Sequence, residues 1–457
     1  MESRILIVSE DLVRTRNYLL GRRPYERAGF WICGITRLPE SLRFAVRQFV
    51  PVPDESLNVQ EEGTITISPL FTAEVLQRCR KEGLSVLVLH SHPGSTENVH
   101  FSRTDWHGER TLLKSVYGRL DAGVHGAVVF GEDSIAARWW TPALDQPTPF
   151  DLIRELGGVM RDWPPDNAEV KIEQEVGEAF DRQVRVFGEQ GQLRLAQLVV
   201  GVVGAGGTGS LTVQQLARLG VGRILVIDDD VVELTNVPRV VGATVDDARQ
   251  SVQKTAVARR HGEGLPTQVV IESIAGNIRD HSVSRELRRC DIVFSCVDRH
   301  YPRAILNQFA QQYFVPVIDM GIQLQPDGTG RIRGAGGRVA VVRPGGWCLW
   351  CTGDISAKEV RLEGLPPEHR ADEQERGYAG PDVPAPAVIS LNGVVSSLAV
   401  TEFLQLVLGF AGADYGVGRR LYRILDGRVS EANDVPQQDC YVCRGRFKGL
   451  GDAGELP

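Results

Sequence analysis

Cysteine is scarce in this chain, 8 residues in 457, and methionine scarcer still at 3. So few thiols cannot build the dense disulfide framework that staples small secreted domains. Four of them form two CxxC pairs, Cys348/Cys351 and Cys440/Cys443. The rest, Cys33, Cys79, Cys290 and Cys296, are scattered in apolar or mixed surroundings. That distribution points to a reduced compartment and a metal site. A long uncharged apolar run is also missing. The nearest approach, residues 387–413, carries Glu402 with Asn392, Ser396, Ser397, Thr401 and Gln405, which predicts a buried helix rather than a bilayer span. The opening MESRILIVSEDLVRTR has early acidic residues and no apolar core before a small-residue cleavage site. No secretory signal and no membrane attachment are expected, and a cytoplasmic location is. Positive charge is not in excess: 51 Lys and Arg face 58 Asp and Glu, a net charge of −7. A protein held on nucleic acid by electrostatics would be basic, so nucleic acid is not an expected partner.

What remains is an ordinary soluble composition, 42% hydrophobic and 24% charged, in a chain long enough for two or three domains. Residues 1–150 read as mixed α/β, with strands at Phe30–Thr36, Arg43–Val50, Thr64–Ser68, Val86–Leu89 and Ala127–Phe130 and a helix at Leu70–Glu82. Prolines 142, 147, 149, 164 and 165 lie in a polar, acidic stretch, which predicts a linker, set at 151–175. The second domain, 176–457, opens with strand Leu198–Val203, a glycine turn, helix Ser210–Leu219 and strand Arg223–Ile227, the start of a parallel sheet. Further strands are expected at Asp291–Ser295 and Val315–Asp319. Residues 353–386 are charged, proline-rich and without periodicity, and read as a mobile crossover loop.

The segment Ser85-Val-Leu-Val-Leu-His90-Ser-His92-Pro93 is an apolar strand ending in two histidines. Residues two apart in a strand share a side, so both imidazoles can reach one ion. Asp105 adds a hard anionic oxygen. Three protein ligands with a fourth position left for water make the pattern of a catalytic zinc. A carboxylate must then accept the water proton and pass it to a leaving amine. Glu26 is the upstream candidate, with Glu40, Glu55, Glu61 and Glu62 as alternatives. His100 and His107 read as surface residues or as lining of a substrate groove. HSHP, eight residues, then Ser102-x-x-Asp105, with an upstream Glu near Gly29, resembles the JAMM motif of JAB/MPN-type metalloproteases over about residues 1–150. The resemblance implies His90, His92 and Asp105 as zinc ligands and Glu26 as general base and acid. It implies Ser102 as the hydrogen-bond donor to the tetrahedral oxyanion, and cleavage of peptide or isopeptide bonds after ubiquitin-like proteins.

Downstream, Val203-Gly204-Ala-Gly206-Gly207-Thr-Gly209-Ser210 follows a strand and opens a helix. Such a turn lets backbone approach phosphate at a helix N-terminus, and alone it indicates a Rossmann-like nucleotide site with NAD as the default ligand. Its companions suit ATP and Mg²⁺ better: Arg182-Gln183, Asp228-Asp-Asp230, Asn236, Arg239, Lys254, and Asp298 with Arg303 supply cations for a triphosphate and carboxylates for the metal. In this order the set resembles the HesA/MoeB/ThiF family, which includes the adenylation domains of ubiquitin-activating enzymes, over about 176–445. Val240 stands where that family usually has Gln, and Arg299 where Asn is common. The resemblance implies ATP on the turn of Gly204, Gly206, Gly207 and Gly209, ribose on Asp228 beside Asp230, phosphates on Asn236, Arg239 and Lys254, and Mg²⁺ on Asp298. It also implies an arginine finger, Arg182, reaching across a homodimer.

The pairs Cys348/Cys351 and Cys440/Cys443 supply four thiolates, the pattern of a tetrahedral structural Zn²⁺, separated by a gap too long for a compact finger. Many members of the resembled family carry a nucleophilic cysteine in the crossover loop, but residues 352–439 contain none. Cys290 and Cys296 read as packed thiols. The expectation is therefore an α/β protein in which a JAB/MPN-type domain precedes a Rossmann-like parallel-sheet adenylation domain with a structural zinc. It would trim or deconjugate, and would adenylate the C-terminal carboxylate of a small ubiquitin-like or sulfur-carrier protein ending in Gly-Gly, with a separate conjugating enzyme as a possible partner. Sulfur-carrier activation or peptide nucleotidylation in a biosynthetic pathway is the alternative.

Overall fold

Apolar runs in this sequence become central strands, and two sheets result. A computed structural model describes residues 1–456 apart from 22–23, 62–63, 97, 122, 165–176, 266–268, 377–384 and 413–415. The chain divides into two compact units. The first comprises Met1–Ile172, Gln312–Phe314 and Phe447–Glu455; the second comprises Glu173–Gln311, Val315–Arg446 and Leu456–Pro457.

In the first unit the strands are β1 (Glu2–Val8), β2 (Ala28–Arg37), β3 (Ser41–Pro51), β4 (Leu57–Glu61), β5 (Thr64–Ile67), β6 (Ser85–Ser91), β7 (His125–Phe130), β8 (Ile135–Trp140), β9 (Thr148–Pro149), β10 (Leu152–Leu156) and β11 (Met160–Trp163). Nine of them form one sheet in the order β11-β10-β1-β3-β2-β6-β7-β8-β9. Helices α1 (Ser9–Leu20), α2 (Pro69–Glu82) and α3 (Arg103–Tyr117) accompany it. Every residue of β6 is buried, as expected of a strand with neighbours on both edges and packing on both faces. Its Val86 and Val88 join one apolar cluster with α2 residues Val75, Leu76 and Cys79, while Leu87 and Leu89 join another with Leu12 and Leu19 of α1. Two helices therefore cover opposite faces of the strand that carries the histidine pair.

The expected linker at 151–175 is not one throughout. β10 pairs in parallel with β1, Ile5 opposite Ile153, and β11 returns antiparallel to it. Proline marks the turns around these strands, but Leu152–Leu156 is a paired strand with four of its five residues buried. Residues 165–176 lie outside the described residues. The C-terminal stretch Phe447–Glu455 also belongs to the first unit, not the second. Gly34 makes room for it: its amide donates to the Gly449 carbonyl at 3.1 Å, and a Cβ at Gly34 would lie 2.3 Å from that oxygen.

In the second unit β12 (Val199–Val203), β13 (Arg223–Asp228), β14 (Val270–Ala275), β15 (Ile292–Ser295), β16 (Val317–Pro326), β17 (Ile332–Val342), β18 (Arg419–Arg423) and β19 (Arg428–Ala432) build an eight-stranded sheet, β14-β13-β12-β15-β16-β17-β18-β19. The first five of these run parallel and the last three are added antiparallel. Helices are α4 (Asp181–Gln197, kinked at Gly188), α5 (Gly207–Leu219), α6 (Val245–Arg249), α7 (Lys254–Arg259), α8 (His281–Glu286), α9 (His300–Tyr313), α10 (Ala357–Gly364), α11 (Pro367–Glu375) and α12 (Ile389–Leu408). The segment read as a mobile crossover loop thus contains α10 and α11, with Ser356 capping α10 and Pro366–Pro367 opening α11; residues 377–384 lie outside the described residues. By length and composition α12 could cross a bilayer. Here it buries Asn392, Ser396, Glu402 and Gln405. Ser396 Oγ lies 2.9 Å from Thr212 Oγ1 of α5, and Glu402 pairs with Arg420 of β18 at 2.9 Å. A helix whose polar residues are matched in this way is a core helix.

His125 on β7 is fully buried, its Nδ1 accepting from the Val86 amide at 3.2 Å. Burial, with Arg37 adding to it, pushes this imidazole from 6.5 down to about 3. The unfolded chain therefore binds the proton more readily, so the stability tied to His125 is full above pH 6.5 and drains away as pH falls toward 3. We expect a loss of about 2 kcal/mol by pH 5. Urea unfolding at pH 7.5 and pH 5 should show that extra loss in the parent chain and not in His125→Gln; identical pH dependence in the two would refute it.

Candidate functional sites

Two groups of side chains converge in the first unit at the end of β6. Strand pairing places Ala28 of β2 opposite His90 of β6, and Ser91 and Arg27 bond reciprocally, Ser91 N to Arg27 O at 3.1 Å and Arg27 N to Ser91 Oγ at 3.0 Å. Glu26, one residue earlier, is thereby held beside His92, with Nε2 of His92 3.9 Å from Glu26 Oε1. From the other side comes α3. Ser102 is its N-cap and Asp105 its third residue, in a capping box: Asp105 N donates to Ser102 Oγ at 3.1 Å, and Ser102 N to Asp105 Oδ2 at 2.6 Å. Asp105 Oδ1 lies 3.3 Å from His90 Nε2, and Oδ2 lies 3.4 Å from His92 Nε2.

These separations suit a metal. Ligands bound at about 2.0–2.1 Å around a tetrahedral ion sit about 3.3–3.4 Å apart. His90 Nε2 is buried and meets Asp105 Oδ1 at 3.3 Å without good hydrogen-bond geometry, which leaves its lone pair suited to a ligand's role. Burial would raise the Asp105 carboxyl, but the neighbouring imidazoles of His90 and His92 outweigh it and hold the group well below its ordinary value. His92 is raised by its hydrogen bond to Asp105. Glu26 is raised by burial, against the pull of both histidines. Sequence order alone left five glutamates open; the fold brings Glu26 to the histidines. Glu40 and Glu55 are exposed, as are His100 and His107.

In the second unit the glycine turn joins β12 to the 13-residue helix α5. Gly204 has φ +92° and a Cβ there would stand 2.8 Å from the Cys296 carbonyl; one at Gly209 would stand 1.8 Å from the Gly204 carbonyl. Only glycine closes this turn. Among the described residues nothing lies within 4 Å of a Cβ placed on Gly206, so none of them fills the space directly above the turn. Asp228, at the end of β13, accepts from Ala205 N at 2.6 Å and from Asp230 N at 2.8 Å. Burial raises its carboxyl, against the nearby Lys254. Lys254 Nζ is 2.6 Å from Asp230 Oδ2, and Arg239 Nη1 donates to Thr235 O at 2.7 Å. Asn236 is buried, while Asp298, past the end of β15, and Arg182, at the start of α4, are exposed.

The sequence reading missed three residues here. The Asn392 amide of α12 faces Gly207, where a Cβ would meet its Nδ2 at 2.2 Å. Asp319 of β16, fully buried, joins Arg303 at 3.2 Å and Arg338 at 2.6 Å. Arg303 also donates to Val297 O at 2.8 Å, fixing the loop that bears Asp298. No spacing rule links these positions, which are far apart in the chain.

The four CxxC thiols also meet. Cys348 lies 3.8 Å from Cys351 and 3.6 Å from Cys440, and Cys351 lies 3.5 Å from Cys443. Thiolates at about 2.3 Å from a tetrahedral zinc would stand about 3.8 Å apart, so this cluster could hold zinc. Hydrogen bonding from Cys443 pulls the Cys348 thiol down to about 5, and Gln437 N donates to Cys351 Sγ at 3.4 Å. Burial pushes the Cys296 thiol up to about 12. If the cluster holds zinc, Cys443→Ser should remove one zinc per chain and lower the unfolding temperature by about 5–10 °C. Metal analysis with calorimetry checks this; an unchanged zinc content and melting point would refute it.

A parallel sheet with a glycine turn opening a helix, next to an acidic strand end, defines a Rossmann-like α/β domain. The ThiF family description matches residues 180–442, more than half of the chain, and the chain belongs to this family. It is 30% identical to the SAMP-activating enzyme E1 of Haloferax volcanii over 56% of this chain and 84% of that protein. It is 29% identical to adenylyltransferase and sulfurtransferase MOCS3 of Drosophila willistoni, over 56% of this chain and 50% of that one. The chain thus spans about half the length of the MOCS3 relatives it matches. Among solved structures, E. coli MccB superposes at a TM-score of 0.47 with 20% identity, over 62% of this chain and 76% of that one.

Proposed function

We propose that the second unit adenylates the C-terminal carboxylate of a small ubiquitin-like or sulfur-carrier protein ending in Gly-Gly. The observation that carries this reading is the space over Gly206 that no described residue fills, with Asp228, Lys254 and Arg239 around the same turn. The carboxylate oxygen attacks the α-phosphorus of ATP. A C–O–P bond forms, the bond from α-phosphorus to the bridging oxygen breaks, and pyrophosphate leaves with the electron pair. No strong base is needed, because the attacking group is already an anion; the work is positioning and charge neutralisation. Asp228 would hold the ribose, with Asp230 fixing Lys254. Lys254, Arg239 and Asn236 would face the phosphates. Mg²⁺, when bound at Asp298, would offset phosphate charge. Arg182, exposed at the start of α4, would reach the triphosphate of a second copy in a homodimer. Carrier-dependent exchange of pyrophosphate into ATP tests this; no exchange with any Gly-Gly-ended carrier would sink it.

For the first unit we propose a JAB/MPN-type zinc (iso)peptidase that trims such a carrier or removes it from conjugates. The observation behind this is the convergence of His90, His92 and Asp105 at tetrahedral separations with Glu26 alongside. A bound zinc would supply Lewis acidity and a water of lowered pKa. Glu26 would hold that water's proton and deliver it to the departing amine. Ser102, whose hydroxyl accepts the Asp105 amide, would keep its own proton for the developing oxyanion.

A second reading of the adenylating half is sulfur-carrier activation or peptide nucleotidylation in a biosynthetic pathway. It is favoured by the absence of cysteine from residues 352–439 and by relatives named as a sulfur carrier protein ThiS adenylyltransferase and as MOCS3. An adenylate released to an outside thiol or sulfide needs no thioester on this chain. A carrier that becomes covalently attached to this chain in a thiol-sensitive bond would argue against it, and for a separate conjugating enzyme as the next acceptor.

A further inference from the structure

We infer that Arg138 is a positioning residue for the His90–His92–Asp105 site, gripping the N-terminal turns of α3 from both sides so that the Asp105 carboxylate stays over the histidines. This rests on the reading of that trio as a metal site. Asp105 projects from the first turn of α3, where helix ends fray most easily. Its capping box fixes the backbone, yet something must also fix the helix against the sheet. Glu109 lies four residues on, so it shares a face with Asp105. It is buried and takes a two-pronged hydrogen bond from Arg138 of β8, Nε to Oε2 at 2.9 Å and Nη2 to Oε1 at 2.9 Å. Trp140 of the same strand adds Nε1 to Oε2 at 2.9 Å.

The same guanidinium lies over the ring of Phe101, 3.8 Å from its centroid. Phe101 is the residue just before the Ser102 cap, and its ring centroid lies 6.1 Å from that of His90. Arg138 therefore holds the chain one residue before the cap and again one turn past Asp105. A planar fork can do both jobs, pairing in its plane and stacking on its face; an ammonium can do neither well. Support of this kind around a metal ligand is worth about 10–100-fold in affinity.

The test uses the full chain and zinc, with affinities measured by competition against a chromophoric chelator and the ligand field read from Co²⁺ spectra. The parent chain should bind two ions, and His92→Ala only one. Arg138→Lys should weaken the second ion about 10–100-fold and alter the nitrogen–oxygen Co²⁺ bands. The sulfur-to-cobalt charge-transfer band of the Cys348–Cys443 set should not change. A purely architectural arginine would leave the remaining Co²⁺ bands alone. Equal affinity in Arg138→Lys, with the ion lost in His92→Ala, overturns the positioning role and leaves the metal reading standing. A parent chain that binds only the cysteine-held ion overturns both. Should Arg138→Lys fail to fold, Phe101→Leu decides: it removes the stacking face alone, and an unweakened second ion in it overturns the inference.

Discussion

Asp298→Ala should slow carrier-dependent pyrophosphate exchange by about 10²–10³-fold, the cost of losing one preorganised charge-stabilising group at a reacting phosphate. The position argues for so large an effect. Asp298 is exposed just past the end of β15, at the carboxyl edge of the parallel strands where ligands of such sheets bind. Arg303 holds the preceding Val297 carbonyl at 2.8 Å and is itself anchored on buried Asp319, so the loop is set before any ligand arrives. A carboxylate displayed on a braced loop is suited to a cation rather than to stability, and Asp298→Ala should leave the unfolding midpoint within about 0.5 kcal/mol of the parent. Arg182→Ala should cause a comparable loss for a different reason. If the arginine serves the partner copy, mixing inactive Arg182→Ala with inactive Asp298→Ala should restore exchange, because a mixed dimer has one site with both groups intact. Exchange unaffected by either substitution would remove Asp298 and Arg182 from the adenylating site. Two inactive variants that fail to complement would remove only the crossing of Arg182 between subunits.

How much of this was legible beforehand differs between the units. The opening βαβ of the second unit was read almost residue for residue: strand 198–203 is β12, helix 210–219 is α5, and strand 223–227 is β13. Local signals are strong there, since a β-branched run, a glycine turn and a helical period follow one another without interruption. The histidine pair was equally plain, because a strand's period of two is a local property. What failed were features set by distant contacts. Residues 353–386 have no clear period, yet α10 and α11 form there, Ser356 supplying one start and Pro367 the other. Phe447–Glu455 is short and glycine-containing, with nothing local to show that it packs beside Gly34, some 400 residues earlier in sequence. Arg138 and Glu109 drew no notice in the sequence, yet they pair at 2.9 Å between β8 and α3. Paired charges give no sequence signature when one partner lies on a strand and the other on a helix.

His92→Ala should abolish cleavage of a carrier extended beyond its Gly-Gly terminus, a loss of at least about 10³-fold, while leaving pyrophosphate exchange intact. The separations fix the reason. His92 Nε2 stands 3.4 Å from Asp105 Oδ2 and 3.9 Å from Glu26 Oε1, so it is the one side chain of the trio that touches both the other ligand class and the candidate base. Removing it strips the ion of a ligand and takes away the imidazole 3.9 Å from the glutamate. The glutamate test separates those effects. Glu26→Gln keeps size and hydrogen bonding but removes the proton acceptor, and should lower turnover by about 10²–10⁴-fold with zinc still bound. A chelator strong enough to empty the histidine site should mimic His92→Ala, and zinc added back should rescue the parent chain but not the variant. Cleavage that persists in His92→Ala, or that survives chelation, would refute the zinc reading of this site and leave His90, His92 and Asp105 as a polar brace between β6 and α3.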